Sequence, residues 1–285
     1  MKLAPAVFGL ALLLASCGNG PARQQEPPPG AGIKLRNTQV AVNHLVQDPA
    51  RRYPHGPSTL CSWDHERYLH FFSEESDKEC DVLFLDAAGK VLERAHLSAG
   101  SEKGITSKFE ARHALFLEPK TVESDGISVG DSVTFLPAIK AAKIDPMPVL
   151  KMGDATLRVE TSHLLSQRLR GLMHRPRLSK DCGMLFLYPH AEERSFWMKN
   201  TLIPLDIAYF DADGNLLNVR RMKPAEDPEK GGELKAPSAG PARFVLEVNY
   251  GWFDARSLID AEGMPVKPVK LEIPDELRRL ADQAE

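Results

Sequence analysis

Asp81-Val82-Leu83-Phe84-Leu85-Asp86-Ala87-Ala88-Gly89-Lys90-Val91-Leu92 lies without a gap on Asp206-Ile207-Ala208-Tyr209-Phe210-Asp211-Ala212-Asp213-Gly214-Asn215-Leu216-Leu217, and the alignment runs back to Phe71 and Phe196. In both stretches an acidic residue precedes an apolar strand, a turn with Asp and Gly follows, and a second apolar strand leaves. That pattern predicts a β-hairpin, with Gly89 and Gly214 supplying the positive φ the turn needs. Ala111 to Leu117 lies on Ala242 to Val248 in the same way, after a slightly longer insertion in the second copy. The chain therefore reads as one domain present twice.

Working outward, both halves alternate short apolar runs with turn signals, which predicts a mainly β protein of two β-sandwich or barrel-like domains with little helix. Strands are expected at Leu157 to Val159, Met184 to Leu187, Ile207 to Phe210, Leu216 to Val219 and Phe244 to Val248. One short helix is expected from about His163 to Leu172, with Ser162 as N-cap and Leu164, Leu165, Leu169 and Leu172 turned inward. A final helix from Pro274 to about Ala284 starts on proline and is mostly polar, so weak packing is expected of it. Pro137, Pro146 and Pro148 break the chain between the copies. The expected division is 33–137 for the first copy, 138–149 for a linker, 150–271 for the second copy and 272–285 for the terminal helix.

The beginning carries a different message. Met1-Lys2 is followed by an apolar run from Ala4 to Ala15, too short to span a bilayer, and then by small residues, which is the pattern of a secretory signal. Leu14-Ala15-Ser16-Cys17 resembles the lipobox of bacterial lipoproteins. The resemblance implies removal of residues 1–16, lipid on the Cys17 thiol, and a bilayer as first partner. Gly18 after the cysteine, by the same analogy, implies the outer membrane facing the periplasm if the cell is Gram-negative. The following stretch to about residue 32, rich in proline and glycine with little to bury, is expected to be a flexible tether.

With Lys+Arg 36 against Asp+Glu 39 the net charge is -3, and no basic excess points to nucleic acid. Besides Cys17 there are Cys61, Cys80 and Cys182. Cys61 and Cys80 are the candidate disulfide, closing a loop of roughly 20 residues. Cys182 is left over, and its neighbours Lys180, Asp181, Gly183 and Met184 include no histidine to activate it.

The second half contains Gly171-Leu172-Met173-His174-Arg175, Gly183-Met184-Leu185-Phe186, Phe196-Trp197-Met198-Lys199-Asn200-Thr201, Pro204-Leu205-Asp206-Ile207 and Leu246-Glu247. In this order and spacing the series resembles the family called domain of unknown function 192, over roughly Leu150 to Val269. The resemblance implies a β-rich, often exported domain without an assigned activity or cofactor. The first half would be a degenerate copy that keeps the hairpin but lacks the Gly-Leu-Met, Gly-Met-Leu-Phe and Trp-Met-Lys-Asn-Thr segments.

Two readings of the polar residues stand side by side. In one, Arg175, Asp206 and Asn200 lock the loop before the hairpin onto the sheet, Arg175 or Lys199 supplying the charge that Asp206 needs. In the other, Trp197 is a stacking face and Arg175, Lys199, Asn200, Asp206 and Glu247 are polar contacts for a small polar ligand, carbohydrate or cell-wall material included, or for an envelope partner. Catalysis is not expected, although Asp206 and Glu247 could be imagined as the acid and base of a glycan hydrolase. A metal-handling alternative rests on Met173, Met184 and Met198, whose thioethers suit Cu(I).

Overall fold

The computed structural model describes residues 24–25, 27–46, 57–73, 76, 78–144, 146–233 and 235–284. The signal and Cys17 lie outside the described residues. Two curled sheets dominate the fold. The first contains β1 (Gln24–Gln25), β2 (His44–Val46), β3 (Thr59–Arg67), β4 (Cys80–Leu85), β5 (Val91–Leu97) and β6 (Ala111–Leu117), in the order β1-β2-β3-β6-β4-β5. The second contains β7 (Val149–Met152), β8 (Ala155–Ser162), β9 (Cys182–Glu192), β11 (Leu205–Phe210), β12 (Leu216–Met222), β14 (Ala242–Asn249) and β15 (Leu271–Glu272), in the order β15-β7-β8-β9-β14-β11-β12. Two short strands, β10 (Ser195–Trp197) and β13 (Lys235–Pro237), pair with each other beside it. Within the stretch to residue 32 expected to be a flexible tether, Gln24 and Gln25 pair with Val46 and Leu45.

Leaving out β15, the two sheets have one topology. Each has a single parallel pair, β2 with β3 and β8 with β9, and the other neighbours run antiparallel. Equivalent residues even keep their register: His113 faces Leu85 and Leu117 faces Asp81, as Phe244 faces Phe210 and Val248 faces Asp206. The hairpin turns agree atom by atom. Asp86 Oδ1 accepts from Ala88 N (2.9 Å) and Lys90 N (2.8 Å), and Asp211 Oδ1 accepts from Asp213 N (2.9 Å) and Asn215 N (2.8 Å). Gly89 and Gly214 both have φ 90°. A Cβ there would stand 2.7 Å from Val133 O and 2.5 Å from Leu271 O, so glycine is required by closeness as well as by φ.

Both sheets are covered on both faces, which is why their strands read as apolar runs rather than strict alternation. All six residues of β11 are buried. On one face of the second sheet Leu157, Val159, Leu185, Phe210 and Leu246 meet Trp252, Phe253 and the C-terminal helix; on the other Met184, Phe186, Ile207, Tyr209 and Val245 meet Leu172 and Met198. That helix, α2 (Asp275–Asp282), packs more firmly than its polar sequence suggests. Leu277 and Ala281 enter the core, Arg278 donates to Ala212 O at 2.9 Å, and Arg243 pairs with Asp282.

The helix expected from His163 shortens to α1 (Leu165–Arg170), since Ser162 ends β8 rather than capping a helix. Gln167 Oε1 accepts from the backbone N–H of His163 and Leu164 at its start. Leu165 and Leu169 face outward instead of inward, at 53% and 52% exposure. The expected Cys61–Cys80 disulfide is not formed: both are buried thiols. β6 runs between their strands, with Cys61 opposite Ala114 and Cys80 beyond the Leu117–Asp81 pair. Two strand spacings, about 9–10 Å, exceed the span of a bridge.

The units meet along the face of β8 and β9 that bears Arg158, Glu160, Cys182 and Met184. Glu160 accepts from Arg175 Nη1 (2.7 Å) and Nη2 (2.8 Å), and Arg67 of the first unit pairs with the same carboxylate. Arg67 Nη1 also reaches Met147 Sδ, 2.7 Å away. Around this buried group, Tyr68 N donates to Ser179 Oγ (3.0 Å), Arg177 Nη1 to Lys108 O (3.0 Å), and Arg170 lies 3.9 Å over the Phe72 ring.

Candidate functional site

Strand alternation decides the side-chain directions in β10. Phe196 turns inward, edge-on to Phe186 with centroids 4.8 Å apart, so Trp197 turns out. Trp197 is 40% exposed, whereas Trp63 and Trp252 are each 5% exposed. Its register partner Lys235 places Nζ 5.2 Å from the indole centroid. The outward leucines of α1 complete the wall of a cleft of about 440 Å³ that Trp197 shares with Leu165, Leu169, Arg168, Tyr188 and Arg194.

Two guanidinium groups lie over the Tyr188 ring, Arg168 at 4.8 Å and Arg194 at 3.7 Å from its centroid. Burial raises its phenol above the ordinary range, against the pull of the two arginines, so it stays protonated in neutral solution. Arg168 Nη1 donates to His163 O (2.5 Å), and Arg194 Nη2 donates to His190 O (2.8 Å), so both cations are held in place by backbone. The cleft thus combines flat aromatic faces, aliphatic walls and fixed positive charge, with Glu192 as its carboxylate. Such a mixture can hold an oxygen-rich ring by stacking and hydrogen bonding.

The other residues expected at the site lie elsewhere. Arg175, 3% exposed, is spent on Glu160 and does not reach Asp206. Asp206 instead accepts from Gly251 N (3.1 Å) and Phe253 N (3.2 Å), pinning the turn after β14. Burial lifts its carboxyl above the usual range although those two N–H groups pull it down. Asn200 shapes backbone: at φ 52° it donates its N–H to Pro228 O (2.7 Å) and accepts from His174 N (2.8 Å). Lys199 is exposed beside it.

Glu247 is buried, its Oε2 behind Gly171 and Phe186. A glycan hydrolase pair with Asp206 is ruled out by register. Asp206 faces Val248 and Glu247 faces Ile207 across β11 and β14, so the two carboxylates point to opposite faces of the sheet. Of the three methionines, Met184 and Met198 are fully buried core residues, placed as packing groups. Among the described residues no group of three or more His, Cys, Asp or Glu could hold a metal ion.

Arg168, Tyr188 and Arg194 carried no signal in the sequence, because they meet only when α1 folds over β9. Cys182 also gains what its neighbours lack, a histidine: His65 of the first unit lies 3.8 Å away.

Fold and cleft together define the second unit as a small β domain with an aromatic and cationic groove on its helix side. Residues 148–264, within the second half of the chain, match the family described as DUF192: Uncharacterized ACR. Among solved structures, a protein of unknown function from Novosphingobium aromaticivorans DSM 12444 is 28% identical, covering 49% of this chain and 99% of that chain with a TM-score of 0.36. A "putative transcription regulator" from Sinorhizobium meliloti 1021 is 22% identical, covering 69% and 95% with a TM-score of 0.34. No curated protein matches.

Proposed function

We propose that this is an exported protein, held on the cell envelope through lipidated Cys17, whose second unit binds a small polar ligand in the cleft under Trp197. The observation that carries the binding reading is the exposed indole beside Tyr188, Arg168 and Arg194. Aromatic faces pack on the C–H faces of sugar rings while the arginines and Glu192 offer partners for hydroxyl, amide or carboxylate groups. An acidic cell-wall sugar fits this combination better than an apolar compound. Of the six residues first considered for the site, Trp197 remains, with Lys199 exposed near it; Arg175, Asn200, Asp206 and Glu247 hold the scaffold. The first unit, in this reading, is a degenerate copy of the second. The common strand order, common parallel pair and matching Asp-Gly turns support that descent, and the interface around Glu160 suits a supporting role.

Fluorescence offers a direct test, since Trp63 and Trp252 are buried and Trp197 dominates any response to solute. Titration of the soluble part with purified peptidoglycan fragments is expected to give a saturable change that Arg194→Ala, which keeps the indole, abolishes. A flat titration with fragments at millimolar concentration, with the protein folded, would sink the reading.

A further inference from the structure

Cys182 has no part in the cleft under Trp197, yet the fold surrounds it with reactive chemistry from both units. Its Sγ stands 3.8 Å from His65 Nε2, and the other nitrogen of that ring, Nδ1, is 2.8 Å from Asp64 Oδ1. A sulfur, a base and a carboxylate that orients the base are the parts of an activated nucleophile. Arg158 faces Cys182 across the parallel pair of β8 and β9. Its Nε is enclosed, and no acceptor reaches it among the described residues. A buried donor without an acceptor, on the residue paired in register with the cysteine, marks a place for an oxygen atom. A second cleft, of about 540 Å³, is lined by Arg158 and by Asp181, the residue before the cysteine.

We propose that Cys182, His65, Asp64 and Arg158 form a thiol centre, built by both units, at which hydrogen peroxide oxidises Cys182 to a sulfenic acid. Size favours this oxidant, because Cys182 is only 4% exposed and peroxide is little larger than water. In the step, His65 Nε2 takes the thiol proton while Sγ attacks one peroxide oxygen. The S–O bond forms as the O–O bond breaks, and the leaving hydroxide takes the proton from His65 and departs as water. Sulfur loses two electrons and the peroxide gains them. Arg158 Nε donates to the oxygen that stays on sulfur.

Burial keeps the thiol above its usual range, against the nearby charges of Arg67 and Arg158, with Glu110 and Asp181 acting the other way. Burial likewise keeps His65 below the usual histidine range despite Asp64, with Arg67 and Arg158 adding to the effect. The resting pair is therefore neutral thiol and neutral imidazole, the state in which the base is free to accept the proton. The product persists because Cys61 and Cys80 are buried in the core of the first unit and cannot resolve it as a disulfide.

The test treats the folded protein with hydrogen peroxide, quenches, unfolds, alkylates the remaining thiols and follows Cys182 and Cys61 separately by peptide mass spectrometry. Cys61 is the control for a buried thiol without this histidine. Cys182 is expected to oxidise first, with His65→Asn slowing it roughly 10²-fold and Asp64→Asn slowing it less. The wild-type rate is expected to fall on the acid side as His65 takes a proton, and His65→Asn to lose that limb. Oxidation of Cys182 no faster than Cys61, or equal rates in wild type and both folded variants, overturns the proposal. Where the variants do not fold, the acid limb of the wild type decides alone, its absence overturning the assignment. Peroxide oxidation is read without any sugar, so its failure leaves the cleft reading untouched.

Discussion

Glu160 and Arg175, fifteen residues apart in sequence, are joined by two parallel N–H···O contacts of 2.7 and 2.8 Å inside the protein, and Arg67 of the first unit shares the carboxylate. One negative charge between two buried guanidinium groups ties the second unit to its neighbour.

Removing that charge should be severe. Glu160→Gln removes the carboxylate charge that two buried guanidinium groups share and is expected to cost about 3–5 kcal/mol in urea unfolding. Arg221 and Asp254 form an equally well-shaped pair at the surface, 2.6 and 2.8 Å. Asp254→Asn is expected to cost under about 1 kcal/mol. A Glu160→Gln protein as stable as Asp254→Asn would show that the clamp does not hold the units.

Acid should weaken the first unit through His113. The ring is buried with Nδ1 2.9 Å from Ser62 Oγ, and burial lowers its pKa to about 4 from 6.5. The unfolded chain binds the proton first, so stability is complete above the unfolded value and is lost as pH falls from about 6.5 towards 4. The full loss is about 3 kcal/mol. Urea midpoints across this range should fall less steeply in His113→Gln, and identical slopes would remove His113 as the cause.

The duplicated turn predicts duplicated sensitivity. Gly89→Ala and Gly214→Ala each place a Cβ at φ 90° against a carbonyl oxygen and should cost more than about 1 kcal/mol. Gly153 also has positive φ, 59°, but nothing lies within 4 Å of its Cβ position. Gly153→Ala should therefore be the mildest of the three in thermal denaturation. Equal losses at all three would mean that φ alone matters and the close approach does not.

The proposed lipidation of Cys17 makes a cellular prediction. Cys17→Ser should move the protein from the membrane fraction to the soluble fraction and stop incorporation of labelled palmitate. Unchanged fractionation with the serine would refute the anchor.

The hairpins at Asp86 and Asp211 were legible from sequence because their geometry is local: an Asp that accepts two backbone N–H groups and a Gly at positive φ, both within five residues. The strands of the second unit were legible for a similar reason, as apolar runs bounded by turns. Leu165 and Leu169 misled, because a short helix with regularly spaced leucines reads as a core element whether its apolar side meets a core or lines a cleft. The aromatic residue of the candidate site could be named from the sequence. Its neighbours Tyr188 and Arg194 could not, since they come from a strand and a loop whose approach to α1 leaves no periodic trace.

By itself the sequence determined that the chain is mainly β, that one hairpin occurs twice, and that its second half carries the family's motifs, all consequences of short-range patterning and turn chemistry. Tertiary structure alone decided what the polar residues do. Strand register turned Asp206 and Glu247 to opposite faces, and sheet packing gave Arg175 to Glu160 instead of Asp206. The meeting of two units brought His65 to Cys182 across 117 positions of sequence. Partners so distant are set by how whole sheets come together, and a buried charge accepts whichever counter-charge that packing delivers.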